Sequence, residues 1–336
     1  MRVVVFETGD WEHAACLRLE TQHQLTCTRD VLNEKSAPGY EDAEIISTFV
    51  GSNLGMQVLS HFPRLKFIAT RSTGYDHIDL SYCRSRGIVV SNVPDYGDST
   101  VAEYTFAMIL AVMRNLVEAV GRTRSGKFSQ AGLRGIDLRG MTLGVIGTGR
   151  IGRRVIEIAQ GFGMMVLAYD IKPNHAAAEN LSFQYAPLDV VLAQADILTL
   201  HVPAGLDTRH LLSDREFGMM KNGAVLINTA RGSVVDIGAL VRALTDGRLR
   251  GAGLDVLPDE PLVREEAQIF RIGQEDKAFD LRTLAANHVL MHLPNVIVTP
   301  HIAYDTEGAV HRIIETTLGN IEAFSAGHPQ NIVPGT

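Results

Sequence analysis

The segment 142–152 constrains the fold of this chain more than any other part of it. It reads TLGVIGTGRIG, an apolar run that leads into three spaced glycines and is followed by an amphipathic stretch. A second apolar run, 164–169, ends at Asp170, 18 residues after the last glycine. This order of strand, glycine turn, helix, strand and acid predicts a dinucleotide-binding βαβ unit. The glycines are Gly147, Gly149 and Gly152.

Each glycine of this fingerprint has its own predicted task. Gly147 makes the tight turn, Gly149 lets a pyrophosphate approach the backbone, and Gly152 lets the helix lie close to the sheet. The phosphates would bind at the positive N-terminal end of that helix. Asp170 would accept hydrogen bonds from a ribose 2′-hydroxyl and repel a 2′-phosphate. The sequence therefore predicts NAD, rather than NADP, as the cofactor.

Composition limits the other classes of function. The 336 residues are 46% hydrophobic and 21% charged, which favours a globular protein of two domains. A net charge of −7 argues against a nucleic-acid partner, and the basic cluster Arg122, Arg124 and Lys127 is interpreted as a solvated helix end. No apolar run reaches the roughly 18 residues that a membrane span needs, so no membrane partner is expected.

The cysteines and the N-terminus indicate the compartment. Three cysteines without CxxC spacing predict neither a disulfide framework nor a zinc site, and no metal is expected. The chain begins with a strand-like segment and lacks the pattern of a signal peptide. A reducing cytoplasm is the expected location.

Strand-like and helix-like segments alternate along the chain, which predicts an α/β fold with parallel sheets covered on both faces. A helix is expected over 99–120, capped by Ser99 or Thr100, and another over 306–324. The predicted strands are 2–6, 44–48, 66–70 and 88–91, and then, in the cofactor domain, 142–146, 164–169, 196–200, 224–228, 251–256 and 295–299. Six strands make a complete Rossmann sheet.

The last residues are too few for a domain of their own. We therefore expect the chain to cross back and complete the first domain. Residues 1–99 and 302–336 would form the substrate (catalytic) domain, and residues 100–301 would form an inserted NAD-binding Rossmann domain.

Three side chains follow consecutive predicted strands at the sheet edge where such folds bind ligands. The guanidinium of Arg231 has the bidentate geometry that matches a substrate carboxylate. The side chain of Glu260 would fix the tautomer of His301, which could then act as an acid–base. Taken singly, each has another interpretation, as a surface cation, a solvated charge or a structural histidine. Their joint placement favours the catalytic one.

The chain resembles the D-isomer specific 2-hydroxyacid dehydrogenase family over nearly its whole length, nearest to the D-lactate dehydrogenase branch. Besides the glycine fingerprint, the matching segments are 72–79 (STGYDHID), 93–97 (VPDYG), 101–103 (VAE), 201–203 (HVP), 228–233 (NTARGS), 253–255 (GLD) and 299–303 (TPHIA). The resemblance implies an inserted Rossmann dinucleotide-binding domain, a discontinuous flavodoxin-like substrate domain with a cleft between them, and a homodimer formed through the NAD-binding domains.

The resemblance also implies roles for individual residues. Arg231 would bind the substrate carboxylate and carbonyl, His301 would be the acid–base, and Glu260 would orient it. The implied substrate-binding residues are Thr73 and Gly74 through their backbone amides, Tyr96, and Tyr304 as a pocket wall. The implied cofactor-binding residues are Thr100, Gly147, Gly149, Arg150, Ile151, Gly152, Asp170, Val202, Pro203, Thr208, Thr229, Ala230 and Asp255. Asp76, His77 and His201 are expected to shape loops or line the cofactor site.

The expected reaction interconverts a small D-2-hydroxy acid and its 2-oxo acid with NAD. D-lactate and pyruvate are the first expectation, and glyoxylate or hydroxypyruvate the second. A long interval between Glu260 and His301, including residues 264–285, is closer to the D-lactate branch. Two alternatives stay open: a formate or phosphite dehydrogenase on the same fold, and a non-catalytic NADH-sensing corepressor or binding module.

Overall fold

The computed structural model describes residues 1–258 and 281–336, which form two compact units. One unit comprises Met1–Tyr96 and Asp305–Thr336, and the other comprises Gly97–Tyr304. The chain therefore leaves the first unit and returns to it. The predicted boundaries, 99/100 and 301/302, and the assignment of the first unit to substrate binding stay predictions.

The first unit is built on a parallel sheet with the strand order β2-β1-β3-β4-β5. This order is that of flavodoxin-like folds. The strands are β1 (Arg2–Val5), β2 (Gln24–Cys27), β3 (Ile45–Thr48), β4 (Phe67–Thr70) and β5 (Val89–Ser91), and the helices before the crossing are α1 (Asp10–Cys16), α2 (Met56–Leu59) and α3 (Leu80–Arg86).

The second unit contains a parallel sheet with the order β12-β11-β10-β9-β6-β7-β8. Its strands are β6 (Thr142–Ile146), β7 (Met165–Tyr169), β8 (Gln184–Tyr185), β9 (Ile197–Leu200), β10 (Ala224–Asn228), β11 (Leu249–Leu254) and β12 (Val296–Val298). Its helices are α4 (Asp98–Met113), α5 (Leu116–Arg124), α6 (Arg150–Gly161), α7 (His175–Asn180), α8 (Leu188–Gln194), α9 (Asp214–Met219), α10 (Ile237–Thr245) and α11 (Leu281–His292). The chain starts in the middle of the sheet at β6 and changes direction there, as in Rossmann domains.

Alternating side chains of the strands build a core on each face of this second sheet. In β10, Val225 and Ile227 are buried with the apolar side of α4 and α6, whereas Leu226 is buried against α8 and α10. A strand that is buried on both faces reads as a continuous apolar run, as β10 does.

The C-terminal helix, α12 (Glu307–Ser325), completes the first unit. Thr306 caps it, because its hydroxyl accepts a hydrogen bond from the Ala309 N–H at 3.2 Å. Its apolar side chains, including Ile314 and Leu318, pack on one face of the first sheet. The ring of Phe324 also stacks on Phe67 with centroids 4.3 Å apart.

The predicted α/β fold class is confirmed, but two strands were missed. The described part of each sheet has one more strand than predicted, β2 in the first and β8 in the second. Both lie at sheet edges; β2 alternates polar and apolar residues and is at most half-buried, and β8 has two residues. Neither produces the apolar run from which the other strands were predicted.

The single helix predicted over 99–120 is wrong, because two helices occupy this region. Asn115 has a φ of +50°, a left-handed conformation that ends α4, and the N–H of Ile136 binds the Met113 carbonyl at 3.1 Å. The predicted cap is also wrong. Gly97 is the N-cap, and Thr100 lies inside α4, where it is buried.

Within the described residues, no single helix has the length and hydropathy of a membrane span, and only α4 and α5 together, bent by 65°, pass that test.

Candidate active site

The glycine turn between β6 and α6 is closely packed at two of its three glycines. Gly147 has a φ of +92°, and a Cβ there would lie 2.5 Å from the carbonyl oxygen of His201. A Cβ on Gly152 would lie 2.1 Å from the carbonyl oxygen of Gly147. Neither position therefore has room for a side chain, as the turn and the helix contact predicted from the sequence require.

Gly149 differs, because a Cβ at this position would meet no protein atom within 4 Å. The internal hydrogen bonds of α6 begin with Arg153 N–H to the Gly149 carbonyl at 3.1 Å, so the amides of Ile151 and its neighbours precede them. An open space at a helix N-terminus fits a pyrophosphate, which needs backbone amides, a positive dipole end and no intervening side chain. The residues present therefore fit a dinucleotide.

Asp170 follows β7 and is already bound to the glycine turn. Its Oδ2 accepts hydrogen bonds from the N–H (2.7 Å) and hydroxyl (2.9 Å) of Thr148, and its Oδ1 accepts one from Lys172 N–H (2.8 Å). Partial burial raises the pKa of this carboxyl, but the hydrogen bonds outweigh burial and leave the pKa below its ordinary value. The carboxylate is therefore charged at neutral pH and keeps acceptor capacity on Oδ1.

Tyr185, on the missed strand β8, supports this arrangement and was not identified from the sequence. Its hydroxyl donates to the Thr148 hydroxyl oxygen at 2.7 Å and accepts from Asn174 N–H at 3.1 Å. The side chain thus connects the glycine turn to the start of α7. A tyrosine in a two-residue strand carries no signal of this role.

The segment after β9 holds the predicted residues Val202, Pro203 and Thr208. The Thr208 hydroxyl donates to the Pro203 carbonyl at 2.7 Å and closes the loop, and Val202 packs against the core. His201 lies beside Gly147, and its Nε2 is 3.0 Å from the Thr199 hydroxyl. Burial lowers the pKa of His201 to about 3, so this ring is neutral at physiological pH.

Arg231 follows β10 and is half-buried. Its Nη1 donates to the Ala230 carbonyl at 2.8 Å, and its own carbonyl accepts from the Asn228 side chain at 3.0 Å. Thr229 and Ala230 are buried between them, with the Thr229 hydroxyl 3.0 Å from that of Thr105 on α4. The end of β10 and the turn that carries Arg231 are therefore held both by hydrogen bonds within the turn and by the contact with α4.

Asp255 lies one residue beyond β11, whereas the predicted strand 251–256 included it. Its side chain is 1% exposed, and it accepts hydrogen bonds from the Thr299 hydroxyl (2.6 Å) and from the N–H groups of Ile302 (3.0 Å) and Ala303 (2.8 Å). These three donors flank His301 in the sequence. Asp255 therefore holds the turn that presents His301.

His301 itself has a φ of +57°, and its N–H donates to the Thr299 carbonyl at 3.0 Å. A histidine in the left-handed region is uncommon, and such strain persists only where the surrounding contacts enforce it. Burial raises the pKa of Asp255, and the hydrogen bonds and the nearby His301 oppose that effect.

Tyr104, on α4, extends this group and was also missed from the sequence. Its hydroxyl is hydrogen-bonded to Thr299, and burial, together with the charge of Asp255, raises its pKa. The Tyr304 ring lies edge-on to His301 with centroids 6.4 Å apart. Glu260, the predicted partner of His301, lies outside the described residues. The same holds for residues 264–280 of the segment 264–285.

In the first unit, the predicted carboxylate-binding residues Thr73 and Gly74 lie in the loop after β4. The Thr73 hydroxyl donates to the Val93 carbonyl at 2.8 Å, and the Ser72 hydroxyl donates to the Gly74 carbonyl at 2.6 Å. His77 contacts the Thr70 hydroxyl at 3.3 Å, which fits a loop-shaping role. Tyr96 is half-buried, and its carbonyl accepts from both Nε (3.1 Å) and Nη2 (2.7 Å) of Arg312.

Comparison with known proteins places this chain in a family. Residues 106–303 match the model of the D-isomer specific 2-hydroxyacid dehydrogenase NAD binding domain. The chain is 36% identical to a glyoxylate reductase of Thermococcus gammatolerans, over 89% of this chain and 84% of that protein. It is 37% identical to an aromatic 2-oxoacid reductase of Clostridium sporogenes, over 86% and 84% of the two chains.

Among solved structures, D-lactate dehydrogenase from Aquifex aeolicus, complexed with NAD and lactic acid, has a TM-score of 0.88 and 38% identity, covering 97% of this chain and 96% of that one. The chain belongs to the D-isomer specific 2-hydroxyacid dehydrogenases. It is an oxidoreductase whose cofactor is NAD, as the glycine fingerprint and Asp170 predicted.

In the described residues there is no group of three or more His, Cys, Asp or Glu side chains that could hold a metal ion.

Proposed function

We propose that this enzyme interconverts D-lactate and pyruvate. The observation that carries the proposal is the close similarity in fold, over 97% of the chain, to a D-lactate dehydrogenase with NAD and lactic acid bound. Glyoxylate or hydroxypyruvate is the second candidate, supported by the glyoxylate reductase among the relatives.

When bound, NADH would supply the hydride to C2 of the 2-oxo acid, and NAD would accept it from the 2-hydroxy acid in the reverse reaction. The guanidinium of Arg231 binds the carboxylate and polarises the carbonyl by charge-assisted hydrogen bonds. The ring of His301 gives a proton to the carbonyl oxygen during reduction and takes the hydroxyl proton during oxidation. The amides of Thr73 and Gly74 bind the carboxylate, and Tyr96 and Tyr304 contact the rest of the substrate. Glu260 orients His301.

The remaining predicted residues are proposed to hold the cofactor. Gly149 supports this, because a Cβ there would meet no protein atom within 4 Å, which leaves the start of α6 open to a pyrophosphate. Arg150 and Ile151 would offer amides to the pyrophosphate, and Asp170 would accept from the ribose. Val202, Pro203 and Thr208 would border the adenosine half, and Thr100, Thr229, Ala230 and Asp255 would lie toward the nicotinamide.

We also propose a homodimer formed through the second unit and a cytoplasmic location. The dimer is supported by an apolar surface formed by α5 and the segment that follows it, where Leu116 (53% exposed), Val117 (58%), Val120 and Phe128 (81%) face outward. The location is supported by three free cysteines, two of them buried.

The test is the oxidation of NADH by a panel of 2-oxo acids comprising pyruvate, glyoxylate, hydroxypyruvate and phenylpyruvate. The highest kcat/KM is expected with pyruvate, and D-lactate, not L-lactate, should support the reverse reaction. Arg231→Lys keeps the charge but loses the planar fork, so it should raise KM and lower kcat together. Tight NADH binding without reduction of any member would contradict the proposal and favour a sensor, and NAD-dependent oxidation of formate or phosphite would favour the other alternative.

A further inference from the structure

The peptide group between Thr73 and Gly74, in the first unit, sets the orientation of the Gly74 N–H, a proposed donor to the substrate carboxylate. The Gly74 N–H belongs to the same planar unit as the Thr73 carbonyl, and in a trans peptide these two groups point in opposite directions. Whatever holds the Thr73 carbonyl therefore also orients the Gly74 N–H.

The partner of that carbonyl is Asn92, at the end of β5. Its Nδ2 donates to the Thr73 carbonyl oxygen at 2.7 Å. Two further bonds tie the same loop to the neighbouring segment, Thr73 hydroxyl to Val93 carbonyl (2.8 Å) and Val93 N–H to Ser72 carbonyl (3.0 Å). The contact through Asn92 is the one that acts on the Thr73–Gly74 peptide itself.

Asn92 is in turn held by the C-terminal part of the chain. Its carbonyl accepts from Nδ2 of Asn320, a fully buried residue of α12, at 3.0 Å. Its N–H donates to the carbonyl of Asn331 at 3.1 Å, and Asn331 Nδ2 donates to Asn320 Oδ1 at 2.8 Å. The three asparagines thus form one network that runs from the C-terminal segment to the loop after β4.

We propose that Asn92 is a positioning residue for substrate binding. It orients the Gly74 N–H toward the substrate carboxylate by holding the Thr73 carbonyl, and Asn320 and Asn331 hold Asn92 in place. This role rests on the proposed function, because it requires that the Gly74 amide binds a carboxylate.

The test is Asn92→Asp, which has nearly the same shape but presents a carboxylate oxygen to the Thr73 carbonyl instead of a donor. Losing one such hydrogen bond should raise KM for the preferred 2-oxo acid, and the inhibition constant of oxamate, by about five- to tenfold. NADH affinity, measured by fluorescence titration, should not change. Asn92→Ser replaces the amide donor by a hydroxyl on a shorter side chain, which would have to reach further to the Thr73 carbonyl, and adds no charge. It should act in the same direction, so it serves if the first variant does not fold.

The matched control is Asn53→Asp, the same exchange at an exposed residue of the first unit that lies outside this network and whose Oδ1 accepts a hydrogen bond from the Gly55 N–H at 3.1 Å, as a carboxylate also would. It should leave KM and oxamate inhibition near the wild-type values. An equal rise in KM in this control would show that the effect is a general loosening and would overturn the positioning role.

The outcomes separate this inference from the function on which it rests. If the wild type reduces a 2-oxo acid and Arg231→Lys shows the expected defect, an unchanged KM in Asn92→Asp and Asn92→Ser overturns only the role of Asn92. Absence of turnover with every 2-oxo acid overturns both.

Discussion

The carboxylate of Asp170 accepts three hydrogen bonds from its own chain, and this arrangement fixes its charge at the end of β7. A fixed negative charge favours a ribose hydroxyl and disfavours a 2′-phosphate. Cofactor preference should therefore depend on this one side chain.

Asp170→Ala should narrow the preference for NADH over NADPH without reversing it, because Ile171 and Lys172 provide at most one cation. The measurement is kcat/KM for both cofactors with one 2-oxo acid. Glu157→Ala, which removes an exposed carboxylate on α6, is the control and should keep the wild-type ratio. Equal use of NADPH by the wild type would contradict the assigned role.

His201 should make stability depend on pH. Its pKa is about 3 in the folded protein, against an ordinary value of 6.5, so the unfolded chain binds a proton in this interval that the folded protein does not. The contribution of this residue to stability is full above pH 6.5 and falls as the pH drops toward 3. His201→Asn should therefore flatten the decline of the unfolding temperature between pH 7 and 4. A decline parallel to that of the wild type would show that His201 is not buried in the neutral form.

Residue roles were predictable where a motif carries them, and not where they depend on distant contacts. The glycines and Asp170 follow from local spacing. Asn92, Tyr104 and Tyr185 act through partners that are far away in the sequence, such as Thr299 for Tyr104, and nothing in the adjacent residues indicates them.

At the scale of elements, the turn between β6 and α6 separates two kinds of glycine. Gly152→Ala would place a Cβ against the Gly147 carbonyl, so the turn would have to move, at a cost of about 1–3 kcal/mol. Gly149→Ala meets no protein atom and should leave stability unchanged while weakening NADH binding. Thermal unfolding of both variants without cofactor, followed by NADH titration, makes the comparison. Equal stability of the two variants would contradict the packing argument.

The elements themselves were predictable where burial is continuous. Strands such as β6 and β10 are buried throughout and read as apolar runs. The edge strands β2 and β8 lack that pattern. The break between α4 and α5 depends on the left-handed conformation of Asn115 and on the amide of Ile136, which binds the Met113 carbonyl. Ile136 lies twenty-one residues after Asn115, so the periodicity of the residues around the break does not reveal this contact.

At the scale of the whole molecule, the return of the chain to its first unit was predictable because α12 needs an apolar surface to cover. That surface is the first sheet, where Ile314 and Leu318 pack. The register of the C-terminal residues against β5, including the pairing of Ile332 with Ser91, was not predictable, because it depends on the finished sheet edge.

The proposed dimer gives a prediction at the same scale. Val117→Asp places a charge in the apolar surface on α5 and should reduce the mass measured by sedimentation equilibrium from that of two chains toward that of one. Met56→Asp, an exposed apolar residue of the first unit, is the control and should leave the mass unchanged. A wild-type enzyme that sediments as a single chain would rule out the proposal.

The central claim is that His301, held in its turn by Asp255, exchanges the proton with the substrate. The most direct measurement is single-turnover reduction of pyruvate by NADH in His301→Gln. The account predicts NADH affinity near that of the wild type and a rate at least about a hundredfold lower, the loss expected for a general acid–base. His328→Gln, a change in an exposed histidine near the C-terminus, should keep the wild-type rate. A near-normal rate in His301→Gln would contradict the account.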